Sequence, residues 1–409
     1  MRESSAHHFV GLDIGTSVVR VVVGMLDPNG SNKLSIIGHG SAPNLGVRKG
    51  VVVHVDDTAD AIVQAVTEAE RIAGVHISEA TVNVNGSHVS GINSTGVIAI
   101  SAADREIGVE DRIRVEEAAT VVQFPPNREI LQFFAKNYSL DGQHNIKDPV
   151  GMRGIRLEVD AHIVTVATPN LRNLDMALTK ADIRPSHHTV SSLASAEAVL
   201  SRQQKEAGTV LIDIGAGTTN LIVVEDGEVQ HVAVIPMGGV HITHDLAIGL
   251  KTDLDVAEQV KIQHAQLGPA KKATASVQVH GGPTHTFPMD DVLMITEARV
   301  EELLEYVDKE LHRIRRSRKL PGGVVITGGT AKMAGLADFA KEKLQLAARI
   351  GKLQNVTGLV DTVDDVSYTT VVGLMMLDML FLPEQNHDNG GNGQNAMGMV
   401  ENMLRRFRR

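Results

Sequence analysis

Apolar residues fall into short runs bounded by glycine and polar turns, and one such arrangement occurs twice. Phe9-Val10-Gly11-Leu12-Asp13-Ile14-Gly15-Thr16-Ser17 leads into the run Val18 to Val23. Thr209-Val210-Leu211-Ile212-Asp213-Ile214-Gly215-Ala216-Gly217-Thr218-Thr219 leads into Leu221 to Val224. Each copy continues through Asn29-Gly30 or Asp226-Gly227 into a third run, Lys33 to Gly38 or Val229 to Ile235. Such pairs suit the positive φ of hairpin turns, so both copies predict strand–turn–strand–turn–strand. Helical periodicity follows the first copy (Thr58 to Ala73) and precedes the second (Ser191 to Glu206), predicting a duplicated α/β unit.

Between the copies, Val84 to Val166 mixes strand-like alternation (Gly96 to Ser101, Arg156 to Thr165) with one helix, Val109 to Val122, as expected of a small inserted α/β subdomain. After the second copy come a helix (Val256 to Gln266), a polar stretch ending in Gly281-Gly282-Pro283, and a long charged helix, Met294 to Arg316. Val324-Val325-Ile326-Thr327-Gly328-Gly329 then reads as a strand closed by glycines, and Val371 to Leu382, which carries Asp378, reads as a buried helix. From Pro383 to Ala396 almost nothing is apolar, the composition of a flexible linker. Beyond it, Met399, Val400, Met403, Leu404 and Phe407 recur at helical spacing, while Arg405, Arg406, Arg408 and Arg409 take the other positions with Glu401 and Asn402. This predicts a basic amphipathic helix of about 20 Å, shorter than a hydrocarbon core of about 30 Å, suited to lie on an anionic membrane surface.

Composition narrows the function. The 409 residues argue for more than one domain, and the absence of cysteine excludes disulfides, thiolate metal sites and cysteine nucleophiles. A net charge of −10, with three Tyr, eight Phe and no Trp, argues against nucleic-acid binding. No secretory leader and no membrane-spanning run is evident, so an unsecreted protein is expected. Eighteen histidines include His241 and His244 three apart and the adjacent His187-His188, without a metal-binding motif. The basic run Arg313 to Lys319 reads as a solvated helix end.

The chemistry lies in the repeated Asp-Ile-Gly. Glycine at the bend lets backbone approach an anion, and the following amides and hydroxyls hold phosphate oxygens. The aspartate at each strand end suits Mg²⁺ held through water. Two such hairpins facing across a cleft would clamp one polyphosphate. Neither a P-loop nor a complete dinucleotide fingerprint is present, since Asn220 stands where the third glycine belongs. Gly328-Gly329-Thr330-Ala331 suits a turn cradling a nucleoside, and Glu258 and Lys261, three apart on one helix, are either ribose and base contacts or an exposed ion pair.

Taken together, the two hairpins, the late Gly-Gly-Thr and the duplication resemble the actin, Hsp70 and sugar-kinase superfamily. Within it the chain is similar to the FtsA family, bacterial division proteins that tether filaments of tubulin-like FtsZ to the membrane. The most specific stretches are Ile146 to Met152, Ala161 to Thr165, Gly46 to Val53 with Arg48-Lys49-Gly50, and Gly86 to Gly96. The resemblance implies an α/β fold of two actin-like (duplicated ribonuclease H-like) lobes with an inserted small α/β subdomain and a C-terminal amphipathic helix. It implies subdomain 1A at 1–83, 167–204 and 356–382, and subdomain 1C, a filament contact, at 84–166. Subdomain 2A would span 205–239 and 301–355, 2B with the FtsZ-tail site 240–300, the linker 383–396 and the membrane helix 397–409.

On this resemblance ATP with Mg²⁺ is the expected ligand, and any enzymatic activity is at most slow ATP hydrolysis. Asp13, Gly15, Thr16 and Ser17 fall on the first phosphate motif, and Asp213, Gly215, Gly217, Thr218 and Thr219 on the second. Gly238, Gly239, Glu258, Lys261, Gly328, Gly329, Thr330 and Met333 fall on the nucleoside pocket. Asp13 and Asp213 would hold Mg²⁺ through water. Glu197 aligns loosely with a water-orienting position, against the alternative of a solvated helix residue. Arg299 falls on a basic position linked to the acidic FtsZ tail. Family members often carry Lys where Val18 stands; Arg20, two residues on and on the same strand face, is the nearest cation. Expected partners are FtsZ, further copies in filaments, an anionic membrane surface and later division proteins, at the cytoplasmic face of the division septum. A sugar or metabolite kinase remains an alternative, requiring a catalytic aspartate and no membrane tail. An Hsp70-like chaperone would need a large domain after the nucleotide lobes, and a pilus-assembly relative would lack the terminal helix.

Overall fold

The computed structural model describes residues 7–26, 34–102, 104–123, 125–270, 272–279 and 281–381. The expected linker and membrane helix lie outside these residues.

The first half opens with β1 (His8–Ile14), β2 (Val18–Leu26) and β3 (Leu34–Pro43), an antiparallel meander. A tiny hairpin, β4 (Val47–Arg48) and β5 (Val51–Val52), leads to α1 (Val55–Ala73) and then to β6 (Glu79–Val84), which pairs parallel to β1. The insertion consists of β7 (Ser90–Ala99), α2 (Val109–Thr120), β8 (Arg128–Leu140), β9 (Gln143–Ile146) and β10 (Arg156–Ala167). Its sheet, in the order β7-β10-β8-β9, has its own core around Phe133, Tyr138, Leu157 and Ile163.

The chain returns through α3 (Thr168–Lys180), β11 (Arg184–Val190), α4 (Ser191–Val199) and α5 (Arg202–Ala207). Here one helix was expected and two form. Leu200 is extended, and Ser201 accepts from the Gln204 amide while Gln204 reaches back, a capping box that starts a new helix.

The second half repeats the meander as β12 (Thr209–Ile214), β13 (Thr219–Glu225) and β14 (Glu228–Ile235). Next come α6 (Gly239–Leu250), α7 (Leu254–His264), the hairpin β15 (Thr274–Gln278) and β16 (Thr284–Pro288), and α8 (Met289–Arg313). Then follow β17 (Gly323–Thr327), α9 (Leu336–Leu344), β18 (Ala348–Ile350), β19 (Val356–Gly358), α10 (Val360–Val363) and α11 (Thr369–Leu380). The principal sheets run β11-β6-β1-β2-β3-β19 and β14-β13-β12-β17-β18.

The expected buried helix near the end is α11, which packs on β1 and crosses α4. A Cβ at Gly11 would lie 2.6 Å from the Met375 amide, and one at Gly373 would overlap Ala194 backbone, so both contacts require glycine. The first core spans this junction and includes Leu211, Val229 and Val325, joining the halves. Among the described residues no helix is long and apolar enough to cross a membrane.

Candidate functional site

Both hairpins close in the same way. The Gly15 amide donates to the Val18 carbonyl at 3.1 Å, and the Gly215 amide to the Thr218 carbonyl at 2.9 Å. Asn44 Nδ2 donates to the Gly15 carbonyl at 2.8 Å. The start of α6 holds the second loop through Gly239 N to Gly215 O at 2.9 Å and Val240 N to Ala216 O at 2.8 Å. The loop carbonyls are thereby taken up. Among the described residues the amides of Ala216 and Gly217 have no backbone acceptor, as an anion-binding loop requires.

Between the hairpins lies a cavity of about 480 Å³, large enough for a nucleotide. Asp13 and Asp213 both line it and both are buried. Burial pushes the Asp13 carboxyl up to about 7; Arg20 opposes this and Asp213 adds to it. Asp213 is likewise raised by burial, against hydrogen bonds from Thr370, Ser195 and Asn220. Two buried carboxyls held towards neutrality at the mouth of a phosphate-sized loop are the donor set a hydrated cation would ionise, so the residues fit Mg²⁺. Arg20, opposite Asp13 in the β1–β2 register, lines the cavity and lies over the Tyr368 ring at 5.2 Å.

Beside Asp213, Gly328 takes φ +87°, and a Cβ there would lie 2.5 Å from the Ile214 carbonyl oxygen and overlap the Asp213 carboxylate. This turn brings Gly329, Thr330 and Met333 to the wall. Lys261 Nζ donates to Glu258 Oε2 at 2.7 Å and to Thr243 Oγ1 at 2.9 Å, fixing both charged side chains at the cavity edge.

Other expected residues sit elsewhere. Gly238 backs onto the Gly215 carbonyl, and Thr219 is buried with its hydroxyl on the Met237 carbonyl at 2.9 Å. Gly217 touches Thr16 of the opposite loop. Glu197 is not among the cavity residues; its carboxylate accepts from Lys205 Nζ at 2.6 Å, a pairing made possible by the α4–α5 break. Arg299 lies on α8, paired with Asp245 and Glu302, and the Asp245 hydrogen bond raises its pKa. Sequence reasoning missed Asn85, Ser191, Asn220, Ser367 and Thr370, all of which line the cavity. The alternation Asn83-x-Asn85 at the end of β6 was the one local signal.

A family model described as cell division protein FtsA matches residues 210–373, and one described as the SHS2 domain inserted in FtsA matches 86–165. Cell division protein FtsA of Bacillus subtilis is 40% identical over 374 residues, 90% of this chain and 82% of the relative. The Pseudomonas aeruginosa protein is 36% identical over 376 residues, 91% of this chain and 89% of its own length. The chain belongs to the FtsA family. Solved structures agree on the fold. A PilM–PilN type IV pilus biogenesis complex matches with TM-score 0.64 at 17% identity, over 90% of this chain and 98% of that one. MreB5 of Spiroplasma citri bound to ADP matches with TM-score 0.54 at 13% identity, over 91% and 96%. The fold is the actin-like one, with the FtsA family's inserted domain formed by β7–β10 and α2.

Proposed function

We propose that this FtsA-family protein binds ATP with Mg²⁺ between its two hairpins, polymerises, and anchors FtsZ filaments to the cytoplasmic face of the membrane at the division septum. The observation carrying this reading is the pair of equivalent loops, each with a buried aspartate, on opposite walls of one nucleotide-sized cavity. Thr16, Ser17, Arg20 and Thr218 serve the phosphates, and Glu258, Lys261, Thr330 and Met333 the nucleoside. Asp13 and Asp213 hold the hydrated Mg²⁺, which supplies charge neutralisation of the phosphates. The 84–166 region contacts the neighbouring protomer, and region 240–300 takes the acidic FtsZ tail. Support for the latter comes from Arg299 with the exposed apolar Ile248 and Met294 on the same helical cluster. The arginine must exchange Asp245 or Glu302 for the peptide, so apolar contact supplies most of the affinity.

The test is co-sedimentation with anionic liposomes and ATP, comparing the full chain, a chain ending at Gln394 and Phe407→Glu. Only the full chain should pellet, and filament formation should sharpen the response through multivalency. Equal pelleting of all three would remove the membrane role. Arg299→Glu, which adds repulsion to the lost cation, should weaken binding of an FtsZ-tail peptide in anisotropy while ATP binding persists.

A further inference from the structure

Two stretches that carry the family resemblance, Arg48-Lys49-Gly50 and the segment beginning at Gly86, have no part in the cavity as described so far, yet they meet beside it. A Cβ on Gly50 would fall 2.7 Å from the Gly86 amide, so the β4–β5 turn tucks directly under the turn that follows β6. The Gly50 amide donates to Thr16 Oγ1 at 3.1 Å, tying this assembly to the first phosphate loop. The residue it supports is Asn85. Its Oδ1 accepts from the Gly86 amide at 2.6 Å, which orients the carboxamide. Its Nδ2 then donates across the cleft to Thr218 Oγ1 at 3.0 Å.

That direction matters for the threonine. Thr218 is buried at the cavity wall, and its oxygen already accepts a proton from Asn85. Among the described residues its own hydroxyl proton meets no protein acceptor. A hydroxyl held as acceptor on one side is a donor on the other, and donors to charged oxygen form the stronger hydrogen bonds. We propose that Asn85 is a positioning residue for the second phosphate loop, holding the Thr218 hydroxyl as a donor towards the polyphosphate of a bound nucleotide. The inference rests on the nucleotide reading above and adds to it a contribution from the first lobe to the second lobe's loop.

The test is calorimetry on the full chain with ATP·Mg²⁺, ADP·Mg²⁺ and adenosine, for wild type, Asn85→Ala, Thr218→Val and the double variant. Asn85→Ala should bind the nucleotides about five- to tenfold more weakly, less than the roughly 10- to 150-fold worth of a whole hydrogen bond to a charged group because the hydroxyl is released rather than removed, with adenosine unchanged. In the Thr218→Val background it should add nothing, because the asparagine acts through that hydroxyl. Asn85→Asp keeps the shape and replaces the donor with an acceptor, so it should lose more than Asn85→Ala; it also serves if the alanine variant folds poorly. Unchanged ATP affinity in both Asn85 variants, or additive losses in the double variant, would overturn the role of Asn85 alone. A wild type that binds neither nucleotide would overturn the nucleotide reading as well, and needs no variant to detect.

Discussion

Asp13 and Asp213 occupy the same place in two copies of one hairpin, yet their neighbours differ. Opposite Asp13 in the β1–β2 register stands Arg20, whereas opposite Asp213 in the β12–β13 register stands Asn220. Asp13 accepts from Asn83 of its own half at 2.7 Å. Asp213 accepts from Thr370 at 3.0 Å, on the α11 helix that packs against β1, and so ties the second half to the first. The edges differ too. The third strand of the first half, β3, pairs with β19, while β14 ends its sheet and leaves its outer edge to the inserted domain, where the Val232 amide donates to His162 Nε2 at 3.0 Å. The two copies share a backbone shaped to approach an anion and differ in their side chains: a cation opposite the first aspartate, an amide and the tie to α11 at the second.

The largest expected effect tests whether the two aspartates share one Mg²⁺. Asp13→Ala and Asp213→Ala should each weaken Mg²⁺-dependent nucleotide binding by about 10- to 100-fold, the range for residues orienting a metal's shell. Without Mg²⁺ neither loss should appear, because a buried carboxylate repels phosphate. Calorimetry with and without chelator reads both; a loss confined to one variant would mean the hairpins are unequal at the metal.

Arg20→Met removes the cation found on one side only. Triphosphate affinity should fall about tenfold, as for a charge-assisted hydrogen bond. Arg20 is also the group that holds the Asp13 carboxyl, at about 7, from rising further. In the wild type, Mg²⁺-dependent binding should therefore strengthen as pH rises through about 7 and the carboxyl ionises. In Arg20→Met that rise should move to higher pH. A variant with an unshifted profile would show that the guanidinium does not act on Asp13.

Acid should loosen the contact between the β14 edge and the inserted domain. Burial holds the His162 ring neutral, its pKa lowered from 6.5 to about 3, with Nδ1 against Asn93 Oδ1 at 2.9 Å and Nε2 accepting from Val232. Beyond it His231 pairs with Glu310 of α8 at 2.9 Å, which keeps that carboxylate low. Unfolding frees the His162 ring to take a proton that the folded state refuses, so stability is complete above about 6.5 and declines as pH falls towards about 3. The slope for one such proton is about 1.4 kcal/mol per pH unit. His88, lowered to about 4 by burial, adds a similar term, so the difference between wild type and His162→Gln in denaturant titrations isolates the one ring. Identical pH slopes for the two proteins would mean that His162 is not the acid-sensitive contact.

The hairpins were legible because apolar runs, the Asp226-Gly227 turn and the repeated Asp-Ile-Gly are local signals, and the copies check each other; the Asn29-Gly30 turn lies outside the described residues. Cavity residues supplied from afar were not. Asn85 meets Thr218 across 133 positions and Thr370 meets Asp213 across 157, each as a single polar side chain at the end of an otherwise ordinary element. Nothing at such positions distinguishes a cleft residue from a cap until tertiary packing brings it in. The break between α4 and α5 stood in plain view as Ser201-x-x-Gln204, yet helical periodicity ran through it. A single helix there would carry Lys205 eight residues along the axis from Glu197, whereas the break lets α5 bring Lys205 back to pair with it.

The smallest expected effect separates contacts within a hairpin from contacts between the two. A Cβ at Gly215 would lie 3.2 Å from the Thr218 carbonyl, so Gly215→Ala strains its own loop and is absorbed by a shift of a few tenths of an ångström. A Cβ at Gly217 would lie 2.7 Å from Thr16 Oγ1, 2.9 Å from Thr16 Cγ2 and 3.2 Å from Lys49 Cα, all on the opposite wall. The Thr16 hydroxyl cannot simply swing aside, since it accepts from the Gly50 amide at 3.1 Å. Gly217→Ala must therefore push the two loops apart, which loosens any ligand held by both and leaves each lobe's own packing intact. A loss of about 1 kcal/mol, roughly fivefold in ATP affinity, is expected with adenosine affinity and melting temperature unchanged. Gly215→Ala should do the reverse, lowering the melting temperature slightly with a smaller change in affinity. Thr16→Ala in the Gly217→Ala background removes the two nearest obstructing atoms, so the double variant should bind ATP better than the sum of the single losses predicts. Additive losses would mean that the loops do not bear on each other and that the cleft is held open by something other than this contact.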